Sequence, residues 1–132
     1  MSKGLKVMNQ TVKFIEQMLE FLPEMKGEYL KSIEKNGEIL ETVVIENVLM
    51  PQVIRLLSEN NECDLINRIF DYFEQVSCCG QEQLINNFSV TVLEILGNDS
   101  QILNIAQLYM GPETKLLQIE ADRGLGRGSL HL

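Results

Sequence analysis

Apolar residues recur at helical steps of three and four along almost the whole chain, and a helix breaker closes each run. That pattern restricts the fold to antiparallel helices joined by short connections. A first segment, residues 9–21, places Val12, Ile15, Leu19 and Leu22 on one face, with Lys13, Glu16 and Glu20 available for the other. Pro23 ends it and suits the first turn of the next helix. The second segment, residues 24–35, carries Met25, Tyr29, Leu30 and Ile33 and closes at Asn36-Gly37, both tolerant of left-handed backbone. This pair is the poorest in apolar content and reads as a loose N-terminal hairpin or arm, residues 1–37.

The third segment, residues 38–59, is the most apolar. Val43, Val44, Val48, Leu49, Val53 and Leu56 nearly encircle it, as expected of a central buried helix. Pro51 removes one backbone bond and crowds the carbonyl four residues back, which predicts a kink or break near Leu49-Met50. The fourth segment, residues 64–77, has a clean stripe of Leu65, Ile66, Ile69, Phe70, Phe73 and Val76 before Gly80. The fifth, residues 81–96, buries Leu84, Ile85, Phe88, Val92, Leu93 and Leu96 and ends at Gly97-Asn98. Asp99 or Ser100 caps a sixth, carrying Ile102, Leu103, Ile105, Ala106 and Tyr109. Gly111-Pro112 stops it and starts a short last helix, residues 113–120. No strand is needed. The expected fold is a single all-α domain, an antiparallel bundle of about six to seven helices. A short helical-repeat-like stack is the alternative, but no fixed sequence period supports it. Residues 38–120 form the core of this domain and residues 121–132 a flexible, glycine-rich tail.

Charge is distributed unevenly over this plan. Residues 36–114 carry twelve acidic side chains against Arg55 and Arg68, a balance of −10, while the two ends are each +1. Binding phosphates directly requires Lys and Arg, so nucleic acid and anionic membrane surfaces are poor ligands for this body. A basic protein partner, drawn in by long-range attraction, fits it; so does acidity that only maintains solubility. At 45% apolar content the 132-residue chain can bury a core, and no run approaches a membrane span. Residues 1–6 lack the apolar stretch of a signal peptide. Cys63, Cys78 and Cys79 are an odd number without chelating spacing, so reduced thiols in a cytoplasm are expected.

Recognisable chemistry is sparse. The one histidine, His131, lies almost at the end of the chain, which leaves no Ser-His or Cys-His pair and no ordinary zinc or iron site. The glycines of 124–128 follow a helix and lack the lysine of a phosphate loop, so they read as tail. Glu46, in the most apolar helix, and Glu94, between Leu93 and Ile95, are the carboxylates that burial could perturb; each also fits a helix boundary paired with Arg55, Arg68 or a lysine of the first hairpin. The methionines spread through the chain suit gap-filling as well as an adaptable groove. Tyr72, between Asp71 and Glu74, is the aromatic residue expected to be exposed, as an interface anchor or as a solvated edge. No catalytic residue, metal or cofactor is expected.

The segment Glu41-Thr42-Val43-Val44-Ile45-Glu46-Asn47-Val48-Leu49-Met50-Pro51 resembles a bacterial all-helical domain family of uncharacterised function. So do Asp71-Tyr72-Phe73-Glu74, the segment from Thr91 to Asn98, and Tyr109-Met110-Gly111-Pro112-Glu113-Thr114. The family pattern is an L-M-P step, an L-E-x-L-G segment and a final M-G-P-x-T. Small families of this kind often look like immunity proteins of polymorphic toxin systems. The resemblance therefore implies a non-enzymatic, cytoplasmic inhibitor that occludes a basic toxin domain. Glu59, Glu62, Asp64, Asp71, Tyr72, Glu74 and Glu82 are the candidate partner-binding residues. A structural or regulatory module that forms homo-oligomers through its first hairpin is the alternative.

Overall fold

The computed structural model describes residues 9–126. Residues 1–8 and 127–132 lie outside the described residues; they include the N-terminal segment read above, Met8, the last glycine of the tail, Gly128, and the closing Ser129-Leu130-His131-Leu132. Seven helices form a single all-α domain, as the helical spacing predicts, and no strand occurs among the described residues. They are α1 (Gln10–Phe21), α2 (Lys26–Asn36), α3 (residues 41–59), α4 (Cys63–Cys78), α5 (residues 82–97), α6 (Ser100–Tyr109) and α7 (Pro112–Gly124).

Most boundaries follow local chemistry. The Asn9 side chain accepts from the Thr11 amide at 2.8 Å and so caps α1. Asp99 does the same for α6, accepting from the amides of Gln101 and Ile102 at 2.9 and 3.2 Å. Gly37, Asn60 and Gly80 take positive φ after α2, α3 and α4. Met110 is extended between α6 and α7, where Pro112 opens the last helix.

Pro51 does not break α3. Ahead of it, Ile45–Leu49 widens into a π turn in which the Met50 amide reaches back to the Ile45 carbonyl, and a regular helix, Met50–Glu59, resumes with the proline in its first turn. The wider turn accommodates the proline ring without interrupting the helix. A second π turn, Ser89–Leu93, lies in α5, where no proline announces it; there the Thr91 hydroxyl donates to the Asn87 carbonyl at 2.5 Å. The two π turns pack against each other in the middle of the domain.

The N-terminal pair is not a loose arm. Phe14, Ile15, Met18, Leu19 and Leu22 of the first segment are buried, because α1 lies against α3, α4 and the start of α5. Its Phe14 stands edge-on to Phe88 at 6.0 Å, and Phe73 meets Phe70 and Phe88 at 4.9 and 5.2 Å. Each such ring contributes about 1.5–3 kcal/mol by burial. Only α2 is peripheral, with no buried residue. At the other end, α7 runs four residues past the expected stop, and Ala121 and Asp122 are buried on its inner side. It lies over α4 and α5, while α6 fills the space beside α3 and the end of α5.

Candidate functional site

Helix α7 is built against the usual rule. Its inward residues are Thr114, Gln118, Ala121 and Asp122, spaced at i, i+4, i+7 and i+8, and three of these four buried residues are polar. Its apolar residues Leu116 and Ile119 are instead 53% and 46% exposed. Polar groups so deeply buried need partners, and α4, α5 and α7 itself supply most of them, leaving Gln118 Oε1 without one among the described residues. The Gln118 amide donates to the Leu93 carbonyl at 2.9 Å and to Asp122 Oδ1 at 3.1 Å.

The start of α7 is held by Glu74 of α4. Gly111 in the N-cap position has no side chain to offer the free amides of the first turn, so the Glu74 carboxylate takes that place. Its Oε2 accepts from the Glu113 amide at 3.0 Å, and its Oε1 accepts from the Thr114 amide at 3.0 Å and the Thr114 hydroxyl at 2.8 Å. The Ser77 hydroxyl stands 3.0 Å from Thr114 Oγ1. Burial pushes the Glu74 carboxyl up, but the Thr114 and Glu113 amides and the Thr114 hydroxyl outweigh it, so the group lies below its ordinary 4.5. A Cβ at position 111 would stand 2.5 Å from the Glu74 carboxyl carbon, so glycine is what admits the carboxylate. The segments Asp71-Tyr72-Phe73-Glu74 and Met110-Gly111-Pro112-Glu113-Thr114 thus meet in one joint.

The other candidate partner residues are spread over the surface. Glu59 pairs with Arg55 Nη1 at 3.2 Å within α3. Glu62 precedes α4, and Asp64 and Asp71 lie on its exposed stripe with Arg68 between them. Tyr72 is half-buried rather than exposed: its ring stacks on Phe14 at 5.7 Å and 18°, and burial, with the nearby Cys79, pushes its hydroxyl up. Glu82 opens α5, at the opposite end of α4 from Glu62, about 24 Å away along that helix. Folding therefore unites Asp64 with Asp71, sends Glu74 into the joint and sets Glu82 apart. Glu46 is exposed despite its apolar helix, and Glu94 is half-buried.

Glu82 borders a feature that periodicity alone does not reveal, an open groove of about 640 Å³ between α5 and α7. Ile85 and Leu117 are its apolar lining, Gln83, Asn86 and Ser89 its neutral polar lining, and Glu82 and Glu120 its acidic lining. The signal that could have exposed it is the spacing of Thr114, Gln118 and Asp122: a polar stripe at helical period in a covered helix leaves Leu116 exposed and Leu117 half-buried.

Among the described residues, no three His, Cys, Asp or Glu side chains gather as metal ligands, and no helix is long and apolar enough to cross a membrane. All three cysteines are free and exposed. Comparison with curated proteins gives no match, and neither does comparison with solved structures. A family profile, in contrast, matches residues 15–125, from within α1 to just past the end of α7. The chain belongs to the family described as a domain of unknown function, DUF7674.

Proposed function

We propose that this chain is a non-enzymatic binding domain that holds a basic partner protein and blocks it by occlusion, as an immunity or antitoxin-like inhibitor does. The observation that carries this reading is the fate of the carboxylates. The ion pairs Lys31–Glu28 and Arg55–Glu59 are each local to one helix. Glu62, Asp64, Asp71, Glu82, Glu113 and Glu120 are exposed and form no ion pair among the described residues. Uncompensated charge of one sign repels itself and opposes folding, and it speeds the encounter with a partner of the opposite sign.

The test is affinity capture from the native host at low salt, with the chain and with a Glu62→Lys, Asp64→Lys, Asp71→Lys variant. A basic protein held by the former, released by salt, lost by the variant and inhibited on binding is the expected result. Capture that ignores both salt and charge reversal sinks the reading. Homo-oligomerisation is a second reading favoured by α2, which buries none of its residues and leaves Leu30 59% exposed. A concentration-dependent mass in light scattering, abolished by Leu30→Glu, would favour it.

A further inference from the structure

The outer face of α7 has an unusual composition for a surface. Leu116 lies one turn before Glu120, and Val90 one turn after Asn86, so each follows a lining residue of the α5–α7 groove at helical spacing on its own helix. Val90 is 41% exposed and Leu116 53%. Ile85 and Leu117 line the groove itself, together with the carboxylates Glu82 on α5 and Glu120 on α7. Neither carboxylate forms an ion pair among the described residues. Such an arrangement fits an occupant with its own apolar stripe and with cations placed to reach the two carboxylates. A helix satisfies both requirements, since residues three and four apart share a face and the neighbouring positions can carry Lys or Arg. A second copy of this chain fits less well, because it would bring a −8 molecule against carboxylates.

We propose that the groove between α5 and the outward face of α7 docks an amphipathic, Lys/Arg-bearing helix of the partner protein. This rests on the basic-partner reading above and adds where, and by what element, the partner is held. The inverted helix explains how the surface comes to exist. With Thr114 bonded to Glu74 and the Gln118 amide bonded to Leu93 and Asp122 on the inner side, Leu116 and Ile119 are left outside the core.

The test is titration of the isotope-labelled full chain with an amphipathic Leu/Lys peptide of about five helical turns, followed by NMR. A peptide of the same pattern with Glu for Lys serves as control. The expected result is saturable shifts at Ile85, Ser89 and Leu117, weakened by salt, and none with the Glu peptide. Glu82→Lys with Glu120→Lys should weaken binding about tenfold or more, and Leu116→Asp should do so with little change in salt dependence. Shifts confined to Asp64 and Asp71 would overturn the groove and leave the basic-partner reading intact. Absence of saturable binding would overturn the groove as well, and host capture decides the broader reading independently. A dimer dissolved by Leu116→Asp would assign the face to a second copy instead.

Discussion

The two sides of α7 meet opposite environments with opposite chemistry. Inside, Thr114, Gln118 and Asp122 are buried and bonded; outside, Leu116 and Ile119 face solvent beside Glu120. Glu74 and Glu82 show the same divide among carboxylates. Both look alike as acids on amphipathic helices, yet Glu74 accepts three bonds from the first turn of α7 and Glu82 forms no ion pair among the described residues. A carboxylate engaged in a helix cap is poorly available to a partner, while one lining a groove can take a partner's cation. Surface acidity alone does not distinguish the two. Their hydrogen bonds do.

The largest effect that would break this contrast is on the inner side. Glu74→Ala should cost about 2 kcal/mol in urea denaturation, from the lost cap and the bonds to a charged acceptor. Asp71→Ala, one turn back on the exposed stripe, should stay within about 0.5 kcal/mol. Equal losses at the two positions would mean that Glu74 holds nothing.

Next comes the glycine. Gly111→Ala should cost about 1–2 kcal/mol by pushing the carboxylate off the helix start, and this cost should largely vanish when Glu74 is already Ala. Strict additivity in that cycle would show that the close approach is not what requires glycine.

A smaller effect appears with pH. The folded pKa of Glu74 lies below the ordinary 4.5, so its contribution to stability is fully present above that value and is lost as pH falls through the lower folded value. Thermal unfolding of Glu74→Gln should lack this component, and the gap to the parent chain should narrow under acid. A gap independent of pH would mean that charge plays no part in the cap.

The smallest effect belongs outside. Leu116→Ser should change stability by no more than about 0.5 kcal/mol, because the side chain is already half in water. A large loss would show that the outer face belongs to the core after all.

Much of the fold was legible because its causes are local. The stripe of α4, the cap at Asp99 and the left-handed closures at Gly37 and Asn60 each depend on neighbours a few residues away. Other features depend on distant partners. The burial of α1 depends on the aromatic rings of α4 and α5 that receive Phe14; the π turn of α5 has no proline to mark it; and the length of α7 depends on the cover it finds for Ala121 and Asp122. Tyr72 looked exposed between two acids because the ring of Phe14, the side that covers it, lies far away in the chain.

By itself the sequence determined an all-helical domain, where most of its helices begin and end, and an acidic middle, since periodicity, caps and net charge require no knowledge of long-range contacts. Tertiary structure alone decided which acids are engaged and which remain open. Glu74 and Gly111 become one joint only when α7 crosses α4, and Ile85 and Leu117 become one groove only when α7 lies on α5. The reason is physical: the protonation, bonding and exposure of a side chain are set by what surrounds it in space, and in this chain those surroundings come from helices far apart in sequence.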